Sequence, residues 1–415
     1  MTGPTRPAPP STPQEDHTVL STASAEVVRA TLPVVRDHAV QITGEFYPSM
    51  FAAHPELLDL FNQGNQAGGQ QRVALASAVV AFAGHLLDPG DDPGSFDAIA
   101  ERIAHKHVSL GIRAEQYPIV GRHLMAAVGT VLGDAVTPEV AAAWDEVYWL
   151  LACRLIAAEA RLYQSGGIDP AVLWRRWRVV KRQDEAVDAV SFTLVPDDGG
   201  AVPDFLPGQY VSVAVDLPDG HRQPRQYSLS QGPVRGSLRI VVRRVRGVDG
   251  APDGAVSNHL HDHVHTDDTL LVGPPAGENT LDPGTGPVLL VSAGIGITPM
   301  ASMLDHLART QPTRRVVVVH ADRSADHHAL RAEIRQTSAG LTDVDRLTWY
   351  ETGDDERRGF VDVDAIPLTE DTTAYLCGPV PFMRDVRAGL LRRGLAGDRI
   401  RYEVFGPGML DGRTG

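Results

Sequence analysis

The sequence has little cysteine and no long apolar run, and each shortage excludes a class of protein. Only two cysteines occur among the 415 residues, Cys153 and Cys377. They are too few and too far apart for a disulfide framework or a cysteine-based metal site, and they fit a reducing compartment such as the cytoplasm. No apolar run reaches the roughly eighteen residues that a membrane-spanning helix needs, so an integral membrane protein is not expected.

Positive charge is also in short supply. Lysine and arginine together number 38 against 52 acidic residues, which gives a net charge of −14. Such a balance disfavours nucleic acid or an anionic membrane surface as a partner. Residues 1–17 are rich in proline and threonine and have no apolar core, so we expect a disordered tail there and not a signal peptide.

Residues 18–164 carry apolar side chains at helical spacing throughout. The pattern predicts an all-α domain of six or more helices, with Pro33 opening or breaking the second of them. Thr137 is placed to cap the last helix, with Pro138 in its first turn. The predicted segments are 20–32, 33–50, 71–87, 96–107, 115–132 and 138–163.

After a short linker the pattern changes to short β-rich runs separated by proline and glycine clusters. Short strands with turn signals at this spacing predict an antiparallel barrel or sandwich over residues 172–283. The predicted strands are 174–181, 190–195, 209–215, 225–230 and 237–245.

From 284 to 415 the pattern alternates between apolar, strand-like runs and helix-like segments. That alternation predicts a doubly wound α/β domain built on a buried parallel sheet. The apolar runs are 288–292, 315–320, 347–350 and 373–376, and the helical segments lie near 299–309, 326–336 and 380–393.

The stretch SAGIGITPM at 292–300 has the composition of a phosphate-binding turn. It follows an apolar run and leads into a helical pattern. Gly294 and Gly296 would let backbone N–H groups approach a phosphate, while Pro299 suits a first helical turn. The motif is AGxGxTP and not GxGxxG, so a tight turn without a ligand is the alternative.

The run RQYSLS at 225–230 has the side chains of a flavin-binding strand. Arg225 could clamp a pyrophosphate, Tyr227 could present an aromatic face to a flat ring, and Ser228 could bond a ring heteroatom. The alternative is an edge strand with a surface arginine.

Three further motifs complete an ordered series: GAVS at 254–257, CGP at 377–379 and YEVFGP at 402–407. With RxYS and AGxGxTP they resemble the ferredoxin–NADP reductase family of FAD-dependent electron-transfer modules. The resemblance implies FAD on the β-rich domain and NADH or NADPH on the α/β domain. The implied FAD contacts are Tyr210, Arg225, Gln226, Tyr227, Ser228, Val256, Ser257 and Phe405, and the implied nicotinamide-cofactor contacts are Gly294, Gly296, Thr298, Pro299, Cys377, Gly378 and Pro379. Read from its residue type alone, Cys377 would be a buried small hydrophobe.

Six histidines lie in the helical region, and any one of them read alone is a surface or core side chain. His107 differs by context, because it ends the segment IAHKH and is followed by VSLGI and EQY. Upstream lie FYPSMF at 46–51, HPEL at 54–57, LFN at 60–62 and GGQQRVAL at 68–75. These motifs resemble the globin domain of the flavohaemoglobins, whose three-domain order matches almost the whole chain.

This resemblance implies a haem b group whose iron is bound by the imidazole of His107. A carboxylate at the second imidazole nitrogen would push electron density toward the iron, and donors on the opposite face would hydrogen-bond an iron ligand. Without the family, Glu159 would be read as a solvated carboxylate at a helix end. The implied haem contacts are Tyr47, Gln71 and Leu75 on the distal side, Phe61 packed on the haem, and Tyr117 and Glu159 on the proximal side.

The implied activity is that of a nitric oxide dioxygenase, an NAD(P)H-dependent oxidoreductase that detoxifies NO by converting it with O₂ into nitrate. A flavin connects a two-electron donor with a one-electron acceptor, which explains why both cofactors belong on one chain. One alternative is a reductase acting on hydroperoxides, quinones or ferric iron, and another is a haem sensor or store for O₂ or NO. The family also implies a monomer or weak dimer and admits a lipid in the haem pocket.

Several positions depart from the family pattern. His105 stands where a relative has a polar residue other than histidine and, two residues from the expected ligand, should point away from the haem. Ile297 replaces a polar residue and is expected to alter the contact with cofactor phosphate or ribose. PAGEN at 275–279 lacks an aromatic residue often found there. The donor stays open, because Arg323 would favour NADPH and Asp322 would favour NADH, the usual donor of the family.

Overall fold

The computed structural model describes residues 19–61, 70–88, 95–218, 220–233, 236–247, 252–353 and 357–405. A helical part, an antiparallel sheet and a parallel sheet follow one another along the chain, which confirms the predicted fold class. The predicted tail at 1–17 lies outside the described residues. Among the helices that are described, none is both long enough and apolar enough to cross a membrane.

The helical part packs amphipathic helices around one apolar core. Side chains spaced three or four residues apart turn one face of each helix inward, and the buried set includes Phe46, Met50 and Trp144. The α-helices of this part, within the described residues, are α1 (Thr22–Ala53), α2 (Gln70–Leu87), α3 (Ser95–Leu110), α4 (Tyr117–Leu132) and α5 (Pro138–Ser165).

The first helix differs from the prediction. α1 continues without a break through Pro33 and Pro48, so the predicted boundary at Pro33 is wrong and two expected helices are one. Pro33 lies on the exposed side of the helix, where the carbonyl that loses its intrahelical partner remains accessible to solvent. Buried Leu32 and Val35 hold both flanks against the core. The predicted cap on α5 is confirmed, because the Thr137 hydroxyl accepts from the backbone N–H of Val140 at 3.4 Å.

The antiparallel sheet has six strands among the residues that the structure describes. Its apolar side chains cover a core that contains Trp177, Phe192 and Val211. The strands are β1 (Arg175–Ala186), β2 (Ala189–Pro196), β3 (Tyr210–Asp216), β4 (Arg222–Ser228), β5 (Leu238–Arg243) and β6 (Thr269–Val272), with helix α6 (Ala255–His263) between β5 and β6. Their order is β4-β3-β6-β1-β2-β5. The sequence pattern missed β6, which has only four residues, and α6, in which three of nine residues are histidine.

In the described part of the chain the parallel sheet also has six strands, and helices pack on both of its faces. The strands are β7 (Val288–Ala293), β8 (Val316–Asp322), β9 (Val344–Tyr350), β10 (Arg357–Arg358), β11 (Thr373–Cys377) and β12 (Ile400–Glu403), and the helices are α7 (Ile297–Thr310), α8 (Arg331–Ser338) and α9 (Val380–Arg392). Burial on both faces explains the continuous apolar runs of β7 and β8. The short β10 and β12 at the two edges were not predicted.

Strand β11 pairs with β7 in the order β10-β9-β8-β7-β11-β12. Because parallel strands end at the same edge of a sheet, the turn after β7 and the turn after β11 lie side by side. That edge is where open α/β sheets bind their ligands.

Candidate functional site

His107, Tyr117 and Glu159 form one hydrogen-bonded group, although they come from α3, α4 and α5. The Nδ1 atom of His107 lies 2.7 Å from Oε1 of Glu159 and 3.0 Å from the Tyr117 hydroxyl. The Tyr117 hydroxyl donates to the same carboxylate oxygen at 2.5 Å. A carboxylate only accepts, so it takes the proton of Nδ1 and fixes the imidazole tautomer that leaves Nε2 with a lone pair.

Burial keeps this group in place. Glu159 is 3% exposed and Tyr117 is 6% exposed. Burial, together with the adjacent Glu159 charge, raises the pKa of Tyr117 far above its usual value, so its hydroxyl remains a donor. The Tyr148 hydroxyl donates to the backbone carbonyl of Tyr117 at 2.6 Å and ties α5 to the start of α4.

The His107 ring would suit a ligand of haem iron. Its Nδ1 edge is held by buried groups, yet the side chain as a whole is 29% exposed. No hydrogen-bond partner of its Nε2 atom is found among the described residues. The described chain also contains no cluster of three His, Cys, Asp or Glu side chains that could hold a metal ion by itself. A single imidazole with a free lone pair matches iron carried in a porphyrin.

The predicted distal residues share an apolar, aromatic environment. Tyr47 in α1 is 5% exposed, and its ring lies 5.8 Å from the rings of Phe51 and Phe61. Leu75 in α2 packs against the same core. Gln71 also lies in α2, but its side chain is outside the described residues, so its distal role stays a prediction.

The predicted flavin strand β4 pairs with β3, which places Tyr210 opposite Ser228. The Ser228 hydroxyl is buried and has no hydrogen-bond partner among the described residues. An orphaned buried hydroxyl of this kind fits a polar atom of a bound ring. Tyr227 is half-buried, and the Arg225 guanidinium donates to the backbone carbonyl of Pro224 at 2.7 Å.

Val256 and Ser257 lie in the first turn of α6, and both are buried. The Ser257 hydroxyl donates to the carbonyl of Gly254 at 3.0 Å and accepts from the N–H of Val245 at 3.1 Å. It therefore closes the loop between β5 and α6. Its contact with a flavin diphosphate stays a prediction.

The glycine turn after β7 depends on the absence of side chains. Gly294 has a φ of 55°, in the region that favours glycine. A Cβ atom on Gly296 would lie 2.2 Å from the carbonyl oxygen of Cys377. The turn and the end of β11 are thus in direct backbone contact, and the next residues begin α7.

Several side chains in this stretch face inward. Ile297 is fully buried in the core beneath α7, so the expectation that it alters a cofactor contact is wrong. Its apolar type fits a core position. The Thr298 hydroxyl is also buried and donates to the Ile295 carbonyl at 3.0 Å, which closes the turn. Pro299 is buried in the first turn of α7.

At the end of β11, Cys377 is fully buried, and burial raises the pKa of its thiol well above the ordinary value. A Cβ atom on Gly378 would lie 3.1 Å from Ala293 at the end of β7. The carbonyl of Pro379 accepts from Met383 in the first turn of α9. The CGP motif therefore lies against the glycine turn, and its contact with the nicotinamide cofactor stays a prediction.

Phe405, predicted to cover the flavin, is 47% exposed. Shortly before it in the chain, Glu403 has a buried carboxylate oxygen with no partner in the described residues. Burial raises the pKa of Glu403 to about 8. Burial also lowers the pKa of nearby Lys106 to about 8, and its ammonium group donates to the Gln226 side chain at 2.7 Å.

Sequence reasoning identified Gln226 but missed Lys106 and Glu403. Neither residue has a signal in the sequence. Lys106 lies on a polar face of α3 that looks the same whether it meets solvent or another domain. Glu403 lies in β12, which was not predicted.

The choice between NADH and NADPH was considered from Asp322 and Arg323, and both side chains form ion pairs within the protein. Asp322 is buried and lies 3.1 Å from a guanidinium nitrogen of Arg243. Arg323 lies 2.6 Å from Asp188 across the boundary between the two sheets. Neither side chain settles the choice between NADH and NADPH, which remains a prediction.

Comparison with protein families divides the chain in the same way as its three folded parts. Residues 44–154 match the globin family. Residues 176–280 match the oxidoreductase FAD-binding domain. Residues 290–388 match the oxidoreductase NAD-binding domain.

Similar proteins cover nearly the whole chain. A flavohemoprotein from Bordetella pertussis is 46% identical over 94% of this chain and 99% of its own length. One from Rhizobium meliloti is 43% identical over 94% of this chain and 99% of its own. The crystal structure of a flavohemoglobin from Malassezia yamatoensis with bound FAD and haem is 32% identical, has a TM-score of 0.85, and covers 93% of this chain and all of its own.

Proposed function

Because the chain belongs to the flavohaemoprotein family, we propose that it is a nitric oxide dioxygenase that oxidises NO to nitrate with O₂ and NAD(P)H. It is an oxidoreductase whose cofactors are haem, FAD and a nicotinamide dinucleotide. The observation that carries the proposal is the buried group of His107, Tyr117 and Glu159, which supplies an anionic partner to the expected iron ligand.

When bound, FAD converts the hydride of the nicotinamide into single electrons, and haem iron provides the centre at which NO and O₂ combine. His107 would hold that iron through Nε2. Glu159 accepts the proton of His107 Nδ1 at 2.7 Å and keeps the ring in one tautomer and one orientation. Tyr117 donates a second hydrogen bond to the same oxygen, which keeps the buried carboxylate satisfied.

On the distal side Tyr47 would donate a hydrogen bond to the iron ligand, with Gln71 assisting it. Phe61 and Leu75 would exclude water, because both pack into the apolar core that surrounds Tyr47. A phenol in such surroundings is a strong, preorganised donor.

In the reductase part, Arg225 and Ser257 would hold the flavin phosphates and the orphaned Ser228 hydroxyl would bond the flavin ring. The glycine turn would bind the nicotinamide cofactor against the CGP motif, with Phe405 covering the flavin. NADH is the proposed donor, and the cytoplasm is the proposed location.

The deciding experiment measures steady-state NO consumption by the holoprotein. We expect consumption to require both O₂ and NADH and to yield nitrate. Consumption of hydroperoxide, quinone or ferric iron without any O₂-dependent NO loss would replace the proposal with the reductase alternative. For the sensor or store alternative, the distinguishing result is failure of NADH to reduce the haem rapidly under anaerobic conditions.

The distal assignment is tested by Tyr47→Phe. Loss of a hydrogen bond to a charged ligand should lower O₂ affinity and NO turnover roughly tenfold, while NADH still reduces FAD at the parent rate. Stopped-flow O₂ binding measures the effect. Tyr163→Phe is the matched control, because that hydroxyl donates to the Ile112 carbonyl at 3.1 Å in the same helical part. If Tyr47→Phe binds O₂ like the parent, the distal assignment is wrong.

A further inference from the structure

Helix α3 has a second polar face, and that face contacts the antiparallel sheet. Arg102, His105 and Lys106 are spaced three and four residues apart, so they share one side of the helix. His107 lies two residues beyond His105, about 200° around the helix, and faces the opposite way. We call Arg102, His105 and Lys106 the reductase-facing stripe of α3.

Each member of the stripe has a partner in the flavin-binding part. The Arg102 guanidinium donates to the Glu278 carboxylate at 2.6 Å. The Lys106 ammonium group donates to Gln226. His105 is 9% exposed, and its Nδ1 atom accepts the backbone N–H of Gly277 at 3.0 Å.

Gly277 lies directly against the expected flavin residues. It has a φ of 117°, and a Cβ atom on it would lie 3.1 Å from the ring of Tyr210. The preceding Ala276 exchanges two backbone hydrogen bonds of 2.9 Å with Tyr210. Tyr210 in turn pairs with Ser228 on β4. A continuous series of contacts therefore connects His105 to the strand with the orphaned Ser228 hydroxyl.

The loop at 275–279 is held from α3 by two contacts. An imidazole acceptor meets the Gly277 N–H, and Arg102 pairs with Glu278. A buried N–H without an acceptor is costly, so the imidazole and the loop depend on each other.

We propose that His105 is a positioning residue for electron transfer between flavin and haem, acting through its hydrogen bond to Gly277. It fixes the loop of Ala276 and Gly277 on the same rigid helix that carries His107. The distance between the two cofactors then follows from the fold of α3. The proposal rests on the electron path from flavin to haem and does not depend on NO as the substrate.

Two substitutions separate this role from simple packing. His105→Leu fills a similar volume but removes the acceptor, whereas His105→Asn retains an acceptor oxygen close to the position of Nδ1. Under anaerobic conditions, NADH should reduce the flavin of both variants at the parent rate. Reduction of the haem should slow on the order of tenfold in His105→Leu only, because an unpaired buried N–H shifts the docked population by about that factor.

Hydrogen exchange gives a readout that does not depend on activity. Peptides covering residues 274–280 should exchange faster in His105→Leu and like the parent in His105→Asn. The matched control is His265→Leu. His265 is an exposed histidine in the antiparallel-sheet part, where residues 274–280 also lie. Absorbance spectra showing haem and flavin in each variant establish that the proteins are folded and loaded.

The two variants distinguish a positioning role of His105 from a purely structural one. Slow haem reduction with fast flavin reduction in His105→Leu, restored in His105→Asn, supports the proposal even if NO is not consumed. Parent-like haem reduction in His105→Leu would overturn it. Equal slowing in both variants would overturn it too, because the acceptor would then be irrelevant.

Discussion

The haem end and the nicotinamide end of this molecule are built on different principles. At the proposed haem end the groups expected to act are side chains, and His107, Tyr117 and Glu159 come from three helices spread over 52 residues. At the proposed nicotinamide end the groups expected to act are backbone atoms in one short turn, where Gly294 and Gly296 are expected to matter because they have no side chain. One end therefore depends on distant packing and the other on local conformation.

The two ends should therefore differ in how well they tolerate substitution. A side-chain site can keep its shape when one group is replaced by a neutral isostere, and it then loses part of its function. A backbone turn in contact with another strand has no such margin, because any added atom must displace the partner backbone. We therefore expect the larger single effects at the nicotinamide end.

The strongest test of the comparison is Gly296→Ala. The new Cβ atom would lie 2.2 Å from the carbonyl oxygen and 2.5 Å from the carbonyl carbon of Cys377. The turn must move away from β11, and a misplacement of about 1 Å can slow a reaction roughly a hundredfold. We expect NADH to reduce the flavin about a hundredfold more slowly, as measured by stopped-flow absorbance, with an unchanged haem spectrum.

Gly129→Ala is the matched control, because a Cβ atom on this glycine of α4 would meet nothing within 4 Å. Its flavin reduction should match that of the parent. If Gly296→Ala also reduces its flavin at the parent rate, the backbone contact with Cys377 is not what holds the cofactor turn.

The corresponding test at the haem end is Glu159→Gln. The amide keeps the shape of the side chain but removes the negative charge 2.7 Å from His107 Nδ1. Replacing such a partner of a metal-bound histidine costs about ten- to a hundredfold in activity. We expect NO turnover to fall by that amount and the haem reduction potential to rise, because less electron density reaches the iron.

Spectroelectrochemical titration measures the potential, and reduction of the flavin by NADH should be unaffected. Glu139→Gln serves as control, since Glu139 is an exposed carboxylate in the first turn of the same helix. A haem potential equal to that of the parent would remove Glu159 from the proposed mechanism.

The same contrast explains what could be predicted from sequence. The nicotinamide turn is local, so the apolar run, the glycines and the proline within residues 288–300 were sufficient to predict a strand, a turn and the start of a helix there. The three fold classes were also predicted, because hydrophobic periodicity depends on neighbouring residues. Glu159 could be assigned only through the resemblance to flavohaemoglobins, because nothing near it in sequence distinguishes a buried carboxylate from a solvated one.

The errors have physical causes as well. Pro33 was predicted to break a helix, but its exposed position lets α1 continue. Ile297 was assigned to the cofactor surface because it lies in the motif, although its side chain turns into the core. The stripe on α3 was not predicted, since a polar helix face looks the same whether it meets solvent or another domain.

The nicotinamide end nevertheless rests on buried side chains beneath its turn. The rings of His320 and His328 lie 3.9 Å apart between centroids. His320 Nδ1 lies 2.9 Å from the Ser292 hydroxyl on β7, and His328 Nδ1 lies 2.8 Å from the Tyr350 hydroxyl on β9. The contact with a carboxylate is longer here than at His107, because His320 Nε2 lies 3.6 Å from Asp322 whereas His107 Nδ1 lies 2.7 Å from Glu159.

Because both imidazoles are buried, we expect the parallel sheet to lose stability in mild acid. Burial, followed by the proximity of His320, lowers the pKa of His328 from 6.5 to about 2, and burial lowers that of His320 as well. Below pH 6.5 the unfolded chain therefore binds protons that the folded chain cannot. Stability present above that pH should fall by about 1.4 kcal/mol per pH unit through His328, and His320 adds to the loss in the same direction. Asp322, whose pKa is lowered to about 2 by His320 and Arg243 against the opposing effect of burial, adds to the loss only below about pH 4.

His328→Asn isolates the contribution of one ring, because the amide can still bond Tyr350 but does not titrate. Between pH 6.5 and 4.5 the opening free energy of β8 and β9, measured by native-state hydrogen exchange corrected for intrinsic rates, should fall less steeply in the variant by about 1.4 kcal/mol per pH unit. His265→Asn, at a side chain that is 69% exposed, should leave the slope unchanged. An identical slope in His328→Asn and the parent would mean that protonation of this buried ring does not destabilise β8 and β9. The nicotinamide end would then depend on its backbone contacts alone.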